Sequence, residues 1–425
     1  MRGNLDMRGK DKRILVMGLG YVGINLAYSL SKKVAVIGLD INDRVIKDYK
    51  KGIDYTNEIG NKKIRKSRII FTNDKNNLKE ADVIIVAVPT PIDDSYKPDL
   101  TLLNSATDDI AENIKPGSLV IFESTVSPGT TDKLIKRIEE KSSMVVGRDF
   151  YVGYSPERIN PGDKKNKITN SVKIISANDA TTISKMYNVY SLILSRKNIY
   201  SINNIKVAEA AKIIENTQRD VNIAFMNEIN RYLYKQGISS QEVLNAMNTK
   251  WNSLGFTHGL VGGHCIGVDP YYLLDSDSDN QLSIVASARK ENEDFIKYLI
   301  DRIVNIVNHD QKIGIVGFSY KPNVNDVRNT KVYDLYKGLK ELNYHVEVSD
   351  VLADSNRVKN YYGISNKKEL HNLDVIIFAV PHKYYMENID IILSMFNKNK
   401  GQKLIIDVYN VLNLENLDNV KIERI

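Results

Sequence analysis

"KRILVMGLGYVGINLAYSLSKKVAVIGLDIND", residues 12–43, sets an apolar run, a glycine turn, an amphipathic stretch and a second apolar run ending on an acid in one order. It reads as strand, turn, helix, strand. Gly18, Gly20 and Gly23 make a G-x-G-x-x-G, and Asp40 closes the second strand. Without a Cβ, the glycines let backbone amides and a helix N-terminus approach a pyrophosphate, while the acid takes ribose hydroxyls. An acid at position 40 repels a 2′-phosphate, so the pattern predicts NAD rather than NADP. Gly18, Gly20, Tyr21, Val22, Gly23 and Asp40 are the expected cofactor contacts.

The apolar runs "DVIIVAVPTP" (82–91) and "SLVIFESTVSPGTT" (118–131) each give way to Pro, Gly, Ser and Thr. Such runs suit parallel strands covered on both faces, with ligand-binding loops at their carboxyl ends, which places Thr90 and Thr125 where ligands bind. The plan recurs near the C-terminus: "KIGIVGFSYKP" (312–322), "YHVEVSD" (344–350) and "DVIIFAVP" (374–381) echo the first set. The expected fold is α/β, with two Rossmann-like, doubly wound parallel-sheet domains joined by a long central helix region. The expected divisions are an NAD-binding domain at 1–200, a central helical region carrying the cysteine loop at 201–305, and a second Rossmann-like domain at 306–425. The second half lacks the three-glycine turn and offers Lys321 and Arg328 at the strand-end crevice, which suits a phosphate-bearing ligand other than a second NAD.

"IKVAEAAKIIENTQRDVNIAFMNEINRYLYKQ" (205–236) reads as one long helix. Val207, Ala210, Ile214, Val221, Ala224 and Phe225 share one side, and Lys212, Glu215, Asn216, Arg219, Asp220 and Asn227 the other. An ordinary solvated face has the same pattern. The position between two ligand-binding lobes favours a polar stripe turned toward a cleft.

Composition narrows the function. The chain has 425 residues, is 42% hydrophobic and 26% charged, and holds no apolar run near the roughly 20 residues that cross a bilayer. The opening "MRGNLDMRGKDKR" lacks an apolar leader core, and one cysteine excludes an intrachain disulfide, so a cytoplasmic location is expected. Net charge is +7, but the densest basic cluster, "NKKIRKSR" at 61–68, has no interleaved aromatics for base stacking, so no nucleic-acid partner is expected. A small anionic ligand suits the surplus charge better.

That one cysteine, Cys265, sits in "GLVGGHCIGVDPYYL" (259–273). Gly262, Gly263 and Gly267 disfavour a packed helix or strand interior and permit close approach of other atoms. One Cys with one adjacent His is no metal-ligand set, so no metal is expected and a nucleophile is the sharper reading. A thiolate beside a nicotinamide site can capture an aldehyde as a thiohemiacetal, which loses a second hydride to become a thioester that water cleaves. The pairing therefore predicts a primary alcohol oxidised by four electrons to a carboxylate, with two NAD consumed per molecule. Lys212 is the candidate cation or base, with Asp269 and Glu157 as candidate carboxylates.

Seven ordered motifs, "GLGYVG", "VPTP" with "PDLT", "ESTVSPGTT", "YSPERINPGDK", "AEAAKIIENTQRDVNIA", "GGHCIGVDPYYL" and "KPNVNDVRNT", resemble the UDP-glucose/GDP-mannose dehydrogenase family over essentially the whole chain. The resemblance implies two-step, two-NAD oxidation of a nucleotide sugar at C6 by a homodimer. It makes Cys265 the nucleophile, sets Lys212 and Asn216 on the C6 oxygen, and gives Asp269, Thr125 and Glu157 the water and proton transfers. Lys321 and Arg328 would contact the nucleotide sugar, together with Glu157, Arg158, Lys212, Asn216, Arg219 and Gly262. The UDP-glucose branch carries a lysine just before the aspartate of the cysteine loop, where this chain has Val268, and His264 precedes the thiol. The loop instead resembles that of UDP-N-acetylhexosamine 6-dehydrogenases, above all the UDP-N-acetylglucosamine enzymes of the Vi-polysaccharide type. UDP-GalNAc and UDP-ManNAc are the alternative substrates, and a uronic acid precursor of capsule or O-antigen is the implied product. Two rival readings remain. A two-electron β-hydroxyacid-type dehydrogenase would have no use for Cys265, and a non-catalytic NAD-binding protein would produce no NADH.

Overall fold

The computed structural model describes residues 12–158, 169–398, 401–412 and 419–425. The leader reading at residues 1–11 and the "INPGDK" part of one motif lie outside the described residues. Among the described residues no helix is long and apolar enough to cross a membrane. The chain divides into two compact units, Met1–Glu215 with Tyr271–Ser278, and Asn216–Pro270 with Asp279–Ile425.

The first unit is built on eight strands: β1 (Arg13–Met17), β2 (Ala35–Leu39), β3 (Ile69–Thr72), β4 (Val83–Val86), β5 (Leu119–Phe122), β6 (Tyr151–Tyr154), β7 (Lys173–Ser176) and β8 (Ile199–Ile202). They lie in the order β3-β2-β1-β4-β5-β6-β7-β8, whose first six positions follow the dinucleotide-binding order, with the topological switch between β1 and β4. Residues in β4 and β5 are buried at every position because both faces are covered. Ile14, Val16, Ile85 and Ile121 meet helices Tyr21–Ser31 and Ala180–Tyr190 on one face; Leu15, Met17, Ile84 and Val120 meet Thr101–Asn113 and Thr130–Ser142 on the other. One pair departs from the all-parallel expectation: β7 runs antiparallel to β6, joined at Tyr154 and Ser176. Two serines substitute for ladder bonds there, Ser176 Oγ donating to the Tyr154 carbonyl at 2.8 Å and Ser155 Oγ to the Ile174 carbonyl at 2.7 Å.

The second unit carries β9 (Lys312–Val316), β10 (His345–Ser349), β11 (Val375–Phe378), β12 (Lys403–Asp407) and β13 (Val420–Arg424), all parallel, in the order β10-β9-β11-β12-β13. Its first turn repeats that of the first unit. Gly18 at φ +87° donates to the Leu39 carbonyl, and Gly317 at φ +90° to the Ser349 carbonyl, both at 2.8 Å. The acid after β10, Asp350, accepts the Phe318 and Ser319 amides at 2.6 and 2.8 Å and the His382 ring at 2.9 Å. Buried and bonded to His382, Asp350 is not open to a ribose as the acid of a second NAD site would need to be.

The long helix, Ile205–Lys235, buries much of its polar side, unlike the ordinary solvated face that has the same pattern. Glu209, Lys212, Asn216, Asp220 and Asn227 are buried, whereas Val207, Ile214, Phe225 and Tyr232 are 48–59% exposed. Sequence pattern assigns faces but not which face is covered, and here polar partners decide it. Asp220 pairs with Arg289 at 2.5 Å and Asn292 at 2.7 Å, and Asn227 donates to Asn292 at 2.9 Å. Glu209 caps helix Thr130–Ser142 by accepting the Gly129 and Thr131 amides at 2.6 and 2.8 Å. Glu209→Ala orphans both amides and should cost about 1–3 kcal/mol of stability, read as a lowered Tm. An unchanged Tm would show that water replaces the cap.

Candidate active site

The cofactor turn is shaped by close approaches. A Cβ on Gly23 would sit 1.8 Å from the Gly18 carbonyl oxygen, and one on Gly18 2.7 Å from that of Ala87, while a Cβ on Gly20 would meet nothing within 4 Å. Gly18 and Gly23 thus serve the turn itself, and Gly20 opens it to a ligand. Helix Tyr21–Ser31 starts at Gly20 with no side-chain cap, and Tyr21 and Val22 form its first turn, the arrangement that receives a pyrophosphate. Asp40 accepts the Leu19 amide at 2.8 Å and the Asn42 amide at 2.9 Å, and the Tyr49 and Tyr55 hydroxyls donate to the Leu19 carbonyl. These residues fit NAD. Gly23→Ala should therefore abolish NAD binding measured by calorimetry, and retained binding would contradict this account of the turn.

Thr90, Thr125 and Glu157 lie past the carboxyl ends of β4, β5 and β6, as the strand-end reading requires. Thr90 Oγ1 donates to the Thr125 carbonyl at 2.7 Å, and the Tyr272 hydroxyl to the Thr90 carbonyl at 2.7 Å. Ser127 Oγ then donates to the Tyr272 carbonyl at 2.9 Å, so a fully buried tyrosine seven residues after the cysteine is fastened to both loops. Glu157 is 9% exposed, and the Arg158 guanidinium bonds Glu215 at 3.0 Å. Lys212, on the long helix one turn before Asn216, is 8% exposed.

In the second unit four predicted residues, Cys265, Asp269, Asn216 and Arg219, come together. The Cys265 carbonyl accepts the Val268 and Asp269 amides at 3.1 and 2.8 Å, leading into helix Asp269–Ser276. Asp269, 2% exposed, takes a 2.5 Å hydrogen bond from Asn216 Nδ2, and Asn216 Oδ1 accepts from Arg219 at 2.8 Å. Asn216 so bridges a cation and a carboxylate within one turn of the half-buried thiol.

The glycines before the thiol serve the chain's own contacts. Gly263 at φ +83° donates to the Asn329 carbonyl at 3.0 Å, and Asn329 Nδ2 donates back to the Gly263 carbonyl at 2.9 Å. A Cβ on Gly262 would lie 2.5 Å from the Asn329 carbonyl oxygen, and one on Gly263 2.6 Å from the Tyr320 ring. The cysteine loop is thereby docked on "KPNVNDVRNT". In that segment Arg328 grips Asp326 in a bidentate pair at 2.9 and 2.7 Å, and half-buried Lys321 lies 5.3 Å from the Tyr320 ring. Burial alone would raise the Asp326 carboxyl, but Arg328 outweighs it and holds the pKa below the ordinary value. His264, although solvent-exposed, has its pKa pushed down by its packed surroundings and then by Arg328. Asp326, Asn329, Tyr272 and Glu209 were not singled out in the sequence. Asp326 alone had a local signal there, as an acid two positions before a predicted anion-binding arginine. Among the described residues no cluster of three or more His, Cys, Asp or Glu could hold a metal ion.

His258 fixes the approach to this loop, its Nε2 meeting the Val408 carbonyl at 3.1 Å. Burial pushes its pKa down to about 4. An unfolded histidine near 6.5 takes up a proton that the folded one refuses, so stability is lost as pH falls from about 6.5 to about 4, by about 3 kcal/mol. His258→Gln should flatten the acid side of a Tm–pH curve; an unchanged slope would place the lability elsewhere.

Three family models match the chain in succession: the NAD binding domain of the UDP-glucose/GDP-mannose dehydrogenase family over residues 12–194, its central domain over 206–294 and its UDP binding domain over 314–414. Among curated relatives, Protein CapL of Staphylococcus aureus is 41% identical over 96% of this chain and 98% of its own length. A UDP-N-acetyl-D-glucosamine 6-dehydrogenase of Salmonella typhi is 39% identical over 97% and 99%. Among solved structures, a UDP-D-ManNAc dehydrogenase from Pyrococcus horikoshii superposes with a TM-score of 0.85 at 28% identity, covering 97% of this chain and 98% of that one. The dinucleotide turn, the docked cysteine loop and these matches along the whole chain place it in the UDP-glucose/GDP-mannose dehydrogenase family, as an NAD-dependent dehydrogenase.

Proposed function

We propose that this enzyme oxidises C6 of a UDP-N-acetylhexosamine, UDP-GlcNAc first among them, to the uronic acid. The observation that carries the reading is the bond from Asn216 to Asp269, one helical turn from Cys265. It holds a buried carboxylate and an amide beside the chain's one thiol. Bound NAD supplies the hydride acceptor, once for each of two oxidations. Lys212 and Asn216 steady the C6 oxygen as the alcohol proton departs. Cys265 adds to the aldehyde carbon, forming a C–S bond while the oxygen gains a proton. After the second hydride leaves that carbon, Asp269, Thr125 and Glu157 manage the water that forms the new C–O bond as the C–S bond breaks and the thiol recovers its proton. Arg158, Arg219, Gly262, Lys321 and Arg328 serve the sugar and phosphates, the last two from a nucleotide-sugar segment at 306–425. His264 and Val268 stand where the UDP-glucose branch differs, and the relative from Salmonella typhi is named for UDP-N-acetyl-D-glucosamine. The product suits surface polysaccharide such as capsule or O-antigen.

NADH formation with UDP-GlcNAc, UDP-GalNAc, UDP-ManNAc and UDP-glucose tests the reading. The highest kcat/KM should fall on UDP-GlcNAc, and a preference for UDP-glucose would overturn it. The exposed stripe of Val207, Ile214, Phe225 and Tyr232, aligned along one side of the long helix, supports a homodimer. Phe225→Asp should shift the dimer toward monomer in light scattering, and a monomeric parent enzyme would refute that assembly.

A further inference from the structure

Behind Glu157 lies a buried charge cluster whose other members have no part in the chemistry above. Lys173 Nζ sits 2.8 Å from Glu123 Oε2, 3.3 Å from Glu157 Oε2 and 3.4 Å from the Pro156 carbonyl. Lys173 is 6% and Glu123 2% exposed, and the other Glu123 oxygen accepts from the buried Tyr190 hydroxyl. Glu157 Oε1 accepts the Arg158 amide at 2.8 Å, while the Arg158 guanidinium is turned to Glu215. The cluster therefore comprises Glu123 after β5, Glu157 after β6, Lys173 opening β7 and Tyr190 ending helix Ala180–Tyr190.

The antiparallel strand explains how Lys173 reaches this place. Tyr154 pairs with Ser176, so three residues onward from one and three back from the other set Glu157 across from Lys173. A parallel strand would have delivered its first residue to the opposite end of the sheet. Lys173 and Glu123 are almost wholly buried, where solvent screens charge poorly and ionisable groups are an expensive choice if only packing were needed. Burial and then the nearby Glu157 charge push the Glu123 pKa up against the pull of Lys173, whereas the two carboxylates keep the Lys173 pKa raised despite its burial.

We propose that Lys173 and Glu123 are positioning residues that set the charge of Glu157 during turnover, Lys173 favouring its ionised form and Glu123 opposing it. This rests on the reading of Glu157 as a proton-transfer group. A general base must take a proton and return it, and these two neighbours act on that exchange in opposite senses. Tyr190 holds Glu123 in place, and the Arg158 amide fixes the oxygen of Glu157 that Lys173 leaves.

The acid limb of the kcat–pH profile, from NADH formation with saturating UDP-GlcNAc and NAD, tests this. Glu157→Gln should remove the limb; a limb that persists in that variant overturns the reading of Glu157, and the proposal with it. Given its removal, Lys173→Met should move the limb upward by roughly one to two units, Glu123→Gln should move it downward by roughly one unit, and Lys173→Arg should restore it. A merely structural role would lower Tm or kcat and leave the limb where it was. If Lys173→Met fails to fold, the downward shift in Glu123→Gln and the recovery in Lys173→Arg decide. A limb that stays put in both, with Glu157→Gln still abolishing it, overturns the proposal while sparing the reading of Glu157.

Discussion

Cys265→Ala should lower uronate formation by ~10³-fold or more while leaving NAD binding unchanged. The loss is large because the thiol is the one group able to hold the aldehyde covalently between oxidations, and no second cysteine exists to replace it. Its surroundings should survive the change: the helix Asp269–Ser276 and the Asn216–Asp269 bond depend on backbone and on other side chains. The measurement is NADH release together with product analysis. Acid formed at the parental rate would remove the covalent mechanism, and a circular dichroism spectrum matching the parent excludes misfolding as the cause of a loss.

Gly262→Ala should reduce kcat by about 10²-fold although alanine adds one methyl group. At 2.5 Å from the Asn329 carbonyl oxygen, a Cβ cannot be accommodated by rotating a side chain, because the obstructing atom is backbone. The loop must lift from "NDVRNT", and Cys265, three residues on, moves with it. Displacing a nucleophile by about 1 Å is enough for a loss of that size. Gly267→Ala is the control: its nearest neighbour, the Val261 carbonyl oxygen, would lie 3.4 Å from the new Cβ, so a small effect is expected. Equal losses in both variants would show that the contact with Asn329 is not what seats the thiol.

The fold was legible where physics writes a local pattern. Glycines spaced for a tight turn, apolar runs buried on both faces and an acid closing the second strand are all readable from neighbours in sequence. The direction of β7 was not, because "KIIS" is equally apolar read either way, and only the pairing of Tyr154 with Ser176 reveals it. In the site, the close approach expected of the glycines around Cys265 is made at Gly262 and Gly263, by Asn329 and Tyr320 of the same chain, and not at Gly267. The polar stripe of the long helix was visible as a stripe. Its burial follows from partners far away in sequence, such as Gly129 for Glu209 and Arg289 for Asp220, which no periodicity encodes. Lys173 and Glu123 escaped notice for the same reason, being brought together from positions 50 residues apart.

The central claim is that one thiol carries the sugar through two successive oxidations. Counting NADH formed per UDP-N-acetylhexosamine consumed tests it most directly. The account predicts two NADH per sugar with the uronic acid as product; one NADH per sugar, with an aldehyde or ketone as the end product, would contradict it.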